Sequence, residues 1–469
     1  MSFFGRSRKT TTDKISDFIG RTSIKAIPRQ VREQARLHLL DGLANMLGGA
    51  KEESSRILRR YYAGSFKRAN TTVLGALEKF SAEHGALING VQAHVLDYDD
   101  AQLTTLASRP MGQQVHPTAP VLAAALALAQ DRRLSGAKLL SAYIVGIEVA
   151  CRLGDAIDPS HYLDGLHPTG TLGAFGAAAA CSHLLKLSPG STRDALGIVG
   201  TLASGLRAHR GTMAKGLNAG HAARNGLLAA TWAAAGFTAS QNVFDDPMGF
   251  FSAMCRRRVD VELLRFGDPY FFARPGIALK LYPCAGVLHP ALDLTIDLCR
   301  RHSINPSAIE RIRATLDEKA ALPLVYNSPK DALQGKFSLN FALAVAACDG
   351  AAGLKQFSNE RVRDPDISQL MKRIELVRRP ATRQKQRTGI DTQIEIIVKS
   401  GLRYSARAAF ARGHPEKPAS AGDIEEKFRG CAAGIVSQKK VDKFLTNFSN
   451  LERASSLSAW LGPLLLSRR

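Results

Sequence analysis

Cysteine is scarce and scattered in this 469-residue chain: seven residues, none in a Cys-x-x-Cys pair. That excludes a zinc ribbon, argues against a disulfide framework, and leaves no grouped thiolates for an iron–sulfur dehydratase. Long apolar runs are also missing. No stretch reaches eighteen uninterrupted apolar residues, so no membrane span is expected. The richest run, from Thr118 to Gln130, is mostly Ala and Leu and reads as a buried helix. Aromatic residues make up only 7%, and none interleave with the basic runs, which weighs against a nucleic-acid surface. There is no G-x-x-x-x-G-K-[ST] loop and no G-x-G-x-x-G after a strand, so no nucleotide cofactor is signalled. The hydrolase signatures G-x-S-x-G and H-E-x-x-H are absent, and no His/Cys ligand spacing suggests a metal. The opening MSFFGRSRKTTTDK is basic but lacks an apolar h-region. It reads as a frayed tail rather than a secretory signal, although a mitochondrial presequence has a similar composition. With the scattered thiols, a cytoplasmic location is expected.

What is present is a hydrophobic fraction of 45% and a net charge of +22. The length allows two or three domains. Some of the charge is clustered: Lys372, Arg373, Arg378, Arg379, Arg383, Lys385 and Arg387 form one group, and Arg256, Arg257 and Arg258 another. These fit a solvated surface, or a positive field that draws in anionic substrates. A basic RNA-binding protein is the alternative, and predicts a continuous positive stripe.

From about Thr22 to Phe251 apolar residues recur at three and four spacings, as on helices. Gln30 to Leu47 places Val31, Ala35, Leu39, Leu43 and Met46 on one face. Glu83 to Val95, Ser135 to Leu153 and Ser191 to Leu206 follow, the last with Ser191 and Asp194 as a capping box. Gly173 and Gly176 allow backbones to approach closely. After about Phe266 the pattern changes. GDPYFFARPG is loop-like, and Ala308 to Leu316 fits either strand or helix. Gln393 to Val398 and Arg403 to Phe410 read as a hairpin around Ser400-Gly401. Helix returns from Asp423. The expected fold is mainly α: a large all-helical domain from both chain ends (1–266 and 415–469), with a smaller α+β lid domain (267–414) inserted.

Two segments echo each other: His116-Pro117-Thr118-Ala119 and His167-Pro168-Thr169-Gly170. Proline suits the first helical turn, so each histidine sits at a helix N-terminus. The partial positive charge there attracts carboxylates and keeps imidazole neutral, able to accept a proton. A histidine merely packing a helix start is the commoner use of such a position. HVLDYDDA puts Asp97, Asp99 and Asp100 at a helix end, with Asp97 on the face of His94. Lys215 lies among small residues in GTMAKGLNAGHAARNG, and Lys280 opens KLYPCAGVLHPALD. Lysines in a cleft pair with substrate carboxylates or act as acid or base, although a single lysine is usually a surface charge.

Together, LLDGLANMLGGA, HGALINGVQAHVLDYDDA, HPTAPVLAAALALA, SGAKLLSAYIVGIEVACRLG, LHPTGTLGAFGAAAA, GTMAKGLNAGHAARNG, KLYPCAGVLHPALD, ALQGKFSLNFALA and HPEKPASAGDIEEKF resemble the MmgE/PrpD family, in order and over nearly the whole chain. The resemblance implies a helical domain with an α+β lid, usually as a homodimer, and a metal-free, cofactor-free site between them. Known members include 2-methylcitrate dehydratase, cis-aconitate decarboxylase and iminodisuccinate epimerase, all acting on small polycarboxylates. By motif, the implied catalytic residues are Asp97, His116, His167, Lys215 and Lys280, with Lys215, Lys280, His116 and Tyr282 binding substrate. The chain departs from the decarboxylase branch at Ala285, where that branch has His, and at Ala101, where it has Thr. The loop from Ala101 to Val115 is also longer. A dehydratase-like hydro-lyase is therefore the leading expectation, with epimerase-like or decarboxylase-like chemistry as alternatives. A non-catalytic helical scaffold is the other class, and predicts no converging His and Lys. No nucleic-acid or membrane partner is expected.

Overall fold

The computed structural model describes residues 9–65, 69–102, 115–255, 259–318, 320–380 and 389–466. The Arg256–Arg258 run, the basic residues Arg383, Lys385 and Arg387, most of the Ala101–Val115 loop and the start of the basic tail lie outside them. The protein is mainly α, as its periodicity predicts. The helices that matter for the site are α1 (Thr11–Arg21), α2 (Arg29–Gly49), α3 (Ala82–Val95), α4 (Thr118–Asp131), α5 (Gly136–Ala156), α6 (Pro168–Leu185), α7 (Pro189–Leu202) and α8 (Met213–Ala234). They are followed by α9 (His289–Arg301), α10 (Leu339–Asp349), α11 (Ala421–Ala432) and α12 (Gln438–Phe448). No helix among the described residues is long and apolar enough to cross a membrane.

Two large hydrophobic cores form. The first runs from Ile15 to Leu279 and resumes with Ile424 to Leu464, so both chain ends share it. The second runs from Tyr282 to Val398. The handover falls between Leu279 and Tyr282, later than the composition change near Phe266. The reason is that Phe266, Phe271, Phe272 and Ile277 of the loop-like segment are themselves buried in the first core. α11 carries the returning chain back onto that core through Ile424, Phe428 and Cys431.

The second core is built on a four-stranded sheet: β1 (Ile309–Asp317), β2 (Ile374–Arg379), β3 (Thr392–Val398) and β4 (Arg403–Ala408). Its order is β2-β1-β3-β4, with β1 parallel to β2 and antiparallel to β3, and β3 antiparallel to β4. Ile312 sits opposite both Ile374 and Ile396, which puts one apolar face of the sheet into the core. Ala308 to Leu316 is thus a strand, and the Ser400-Gly401 hairpin forms as read. Part of the basic cluster is used internally: Arg373 donates to the Ile309 carbonyl and Arg379 pairs with Asp391.

Two local expectations change. Helix α7 begins at Pro189 with Ser188 as its cap, not at Ser191, because proline occupies the first turn without losing a needed donor. Asp194 instead accepts from the Ala239 backbone N–H at 3.0 Å. Helix α3 ends at Val95, so Asp97 is not helical; it has a left-handed backbone with φ 52°. The acids after His94 therefore form a turn beyond the helix and do not stand against its dipole.

Candidate active site

Small residues set the site's first distance. Helices α3 and α8 cross with their backbones in contact at Gly90 and Gly220. A Cβ on Gly90 would lie 2.8 Å from the Gly220 Cα, and one on Gly220 would lie 2.5 Å from the Leu87 carbonyl oxygen. One helical turn earlier on α8, Gly216 faces Val91 and Val95. That approach brings Lys215, in the first turn of α8, against His94, in the last turn of α3. Lys215 Nζ lies 3.2 Å from His94 Nε2 and 2.7 Å from Asp97 Oδ1. Lys280 approaches from a later segment of the chain, donating to the Asp97 carbonyl at 3.0 Å and lying 3.2 Å from its Oδ1.

One buried carboxylate thus sits between two ammonium groups. Burial opposes its ionisation, but Lys215 and Lys280 outweigh that and hold the Asp97 carboxyl well below the usual range. Its Oδ2 is buried and has no hydrogen-bond partner. The turn carrying Asp97 is pinned from below by Lys427 of α11. Its Nζ donates to the Tyr98 carbonyl at 2.6 Å and the Lys280 carbonyl at 3.0 Å, and it pairs with Asp41 of α2 at 2.5 Å. Both chain ends thereby fix the two segments that bear the central acid and one of its lysines.

Hydrogen bonds settle two imidazole tautomers. His116 Nδ1 lies 2.8 Å from the Asp100 carbonyl oxygen, which can only accept. Nδ1 therefore carries the proton, and Nε2 of neutral His116 has a free lone pair. His94 Nδ1 contacts Asp99 Oδ2 at 2.8 Å, while its Nε2 accepts from Lys215. Asp100 accepts from His38 at 2.9 Å and from the Thr118 hydroxyl at 2.6 Å, anchoring the turn to α2 and α4. Burial is the first cause that lowers each histidine. His94 and His167 are held well below the ordinary value, with Lys215 also acting on both. His116 falls to about 3, with Lys280, His94 and Lys215 adding to burial against the opposing pull of Asp99. All three are neutral at physiological pH; both nitrogens of His94 are engaged, which leaves His116 and His167 to accept a proton. His167 caps α6, and its Nδ1 is buried without a partner.

These groups face one cavity of about 130 Å³ between residues of the two cores. Asp97, His116, His167, Lys215 and Lys280 all line it. Tyr282 is not among the lining residues. Its hydroxyl donates to Asp293 at 2.6 Å, and its ring packs edge-on against His289 at 5.2 Å. It is a support for the cavity wall and does not reach the cavity itself. Ala101 and Ala285 do line the cavity, so both departures from the decarboxylase pattern fall in the site.

The structure adds residues that motif reasoning passed over. Arg207 and Arg210 line the cavity, with the Arg207 guanidinium 3.4 Å over the Tyr162 ring. His289 and His414 line it too. The sequence held a signal for these two. It contains four His-Pro dipeptides, at 116, 167, 289 and 414, and all four histidines meet at this one cavity. Among the described residues, His94, Asp99 and His116 have ligand-type atoms within 4.8 Å of one another. Both ring nitrogens of His94 and Nδ1 of His116 are hydrogen-bonded, which ties the three residues into one network.

The fold and site define a class: mainly α proteins whose two cores enclose a cavity lined by ammonium groups and neutral imidazoles. The chain belongs to the MmgE/PrpD family, whose N-terminal domain matches residues 13–261 and whose C-terminal domain matches residues 282–453. It is similar to cis-aconitate decarboxylase of Homo sapiens, 27% identical over 97% of this chain and 95% of the relative. It is also similar to the cis-aconitate decarboxylase of Aspergillus terreus, 26% identical over 98% and 96%, and to a cis-aconitate decarboxylase-like protein of Aspergillus oryzae, 25% identical over 96% of each.

Proposed function

We propose that this protein is a lyase that removes a proton next to a carboxylate of a small polycarboxylate and expels hydroxide as water, in the manner of 2-methylcitrate dehydratase. The observation that carries the reading is the convergence of Lys215, Lys280, His116 and His167, from distant parts of the chain, on one cavity. Lysine and arginine groups meet the substrate's carboxylates, and their positive charge stabilises the enolate-like dianion formed when the C–H bond breaks. Fixed donors and charges in a water-poor site act most strongly at that stage, each contributing about 3 kcal/mol. Nε2 of His116, or His167, takes the proton. The electron pair moves in to form the double bond, the C–O bond breaks, and an ammonium N–H protonates the leaving hydroxide. Asp97 orders the two lysines and does not donate.

Decarboxylation is the second reading, favoured by the named relatives at 25–27% identity. There a C–C bond breaks, carbon dioxide leaves, and a proton is added to carbon. Ala101 and Ala285 in the cavity wall favour dehydration over it. The test is incubation with 2-methylcitrate, citrate, cis-aconitate and iminodisuccinate in deuterated water, followed by NMR. Dehydration of a hydroxy acid with deuterium exchange, abolished by K215A, is expected. Carbon dioxide release from cis-aconitate would replace the leading reading with the second. Exchange without product would point to epimerisation, and full activity of folded K215A would remove the site.

A further inference from the structure

We propose that His289 is a further catalytic residue of this site: a proton acceptor that works from the wall built by the second core, facing the His116 and His167 wall built by the first. The inference rests on the polycarboxylate reading above and deepens it. His289 opens α9 and is only 4% exposed. Burial is the main cause that lowers its ring, to about 3, with the Cys284 backbone opposing. Its Nε2 is buried with no partner, and in the neutral tautomer protonated at Nδ1 that nitrogen holds a bare lone pair. The residue lines the catalytic cavity. A buried nitrogen left unsatisfied is costly and rare in native proteins, and here it belongs to a residue of the cavity wall.

The ring cannot turn away from that space easily. Tyr282 packs edge-on against it, and the Tyr282 hydroxyl is tied to Asp293, which also accepts from the Arg412 backbone at 2.8 Å. The residues ahead of it are small: Ala285 and Gly286 line the cavity, and a Cβ on Gly286 would meet only Lys280 Cε, at 3.8 Å. His289 and His167 also answer to different charges. After burial, the largest influences on His289 are Lys280 and Asp293; those on His167 are His94 and Lys215. They are separate stations around one bound molecule.

A methylene next to a carboxylate has two hydrogens, one on each face. His116 or His167 takes one. His289 takes the other: that C–H bond breaks, its electron pair enters the carboxylate-conjugated carbanion, and the proton moves to Nε2. Return of a proton from the opposite wall forms a new C–H bond, so no co-reactant is needed.

The experiment uses 2-methylcitrate in deuterated water, with H289Q, H289N, H167Q and wild type compared by NMR. H289Q is expected to lose deuterium uptake at one or more hydrogens by about 100-fold or more, while binding the inert analogue propane-1,2,3-tricarboxylate within about threefold of wild type and melting at the same temperature. Uptake in H289Q within threefold of wild type at every position overturns the inference. No uptake or turnover by wild type on any of the four acids overturns the parent reading instead. Should both His289 variants fail to fold, diethyl pyrocarbonate labelling of wild type decides. His289 carbethoxylation that the tricarboxylate blocks supports the assignment; labelling of His116 but not His289 refutes it.

Discussion

Asp97 holds two ammonium nitrogens at 2.7 and 3.2 Å from one carboxylate oxygen. Replacing it by asparagine removes the negative charge between Lys215 and Lys280 and leaves them facing each other. D97N is expected to lose roughly 3–5 kcal/mol of stability, and propane-1,2,3-tricarboxylate should restore much of the loss by supplying carboxylates. Thermal melting with and without the tricarboxylate checks this; an unchanged melting temperature in D97N would contradict it. The buried histidines give a second expectation, with a definite sign. Their folded values lie below the unfolded value near 6.5, so the unfolded chain binds more protons and stability falls as pH drops below that value. For His116 and His289, both held at about 3, the loss is about 2 kcal/mol each by pH 5. His94 and His167 act in the same direction. Urea unfolding should show stability flat above pH 7 and falling steeply between pH 6.5 and 4.5, with a shallower fall in H289Q. A flat profile through pH 5 would show that these rings are not buried neutral.

Among the elements, the crossing of α3 and α8 does most to place the chemistry. Both segments are rich in small residues, so tight packing was legible in the sequence. Which glycines touch was not, because 3.6-residue periodicity marks a face and does not name its partner. G220A is the direct test. Its Cβ would meet the Leu87 carbonyl oxygen at 2.5 Å and the Val91 side chain at 2.6 Å, so the helices must part. The expected cost is about 1–3 kcal/mol, with a larger proportional loss of turnover because Lys215 moves away from Asp97. G422A, on α11, meets only the Ser420 side-chain oxygen at 3.7 Å and should leave both unchanged. Equal effects of the two would show that the crossing is not what positions the lysine. The β3–β4 hairpin was readable from β-branched alternation around Ser400-Gly401; β1 fitted strand or helix equally, and β2, inside the basic cluster, was not read as a strand. The end of α3 was not, since HVLDYDDA has no glycine or proline to stop it. What ends the helix is Asp97 entering a left-handed turn that distant Lys280 and Lys427 hold.

At the scale of the whole molecule, the formal charge of +22 and a cavity lined by two lysines and three arginines against one aspartate act on the same ligand. A polyanion should be drawn in at long range. Its kcat/KM should fall roughly three- to tenfold on raising salt from about 20 to 300 mM, with kcat little changed. Salt independence would assign the charge to surface solvation alone. The family, the mainly helical class and five of the cavity residues came from the sequence by itself, because periodicity, turn chemistry and His-Pro or lysine motifs are local and survive in one dimension. Three things came only from tertiary structure: the withdrawal of Tyr282 behind the wall, the pinning of the acidic turn by Lys427 and Asp41, and the arrival of His289 and His414 beside His116 and His167. The first is set by the local contacts of Tyr282 with Asp293 and His289; the other two depend on distant segments folding onto two cores. Burial, which strips these groups of water and sets which nitrogen keeps its proton, exists only once the cores have closed.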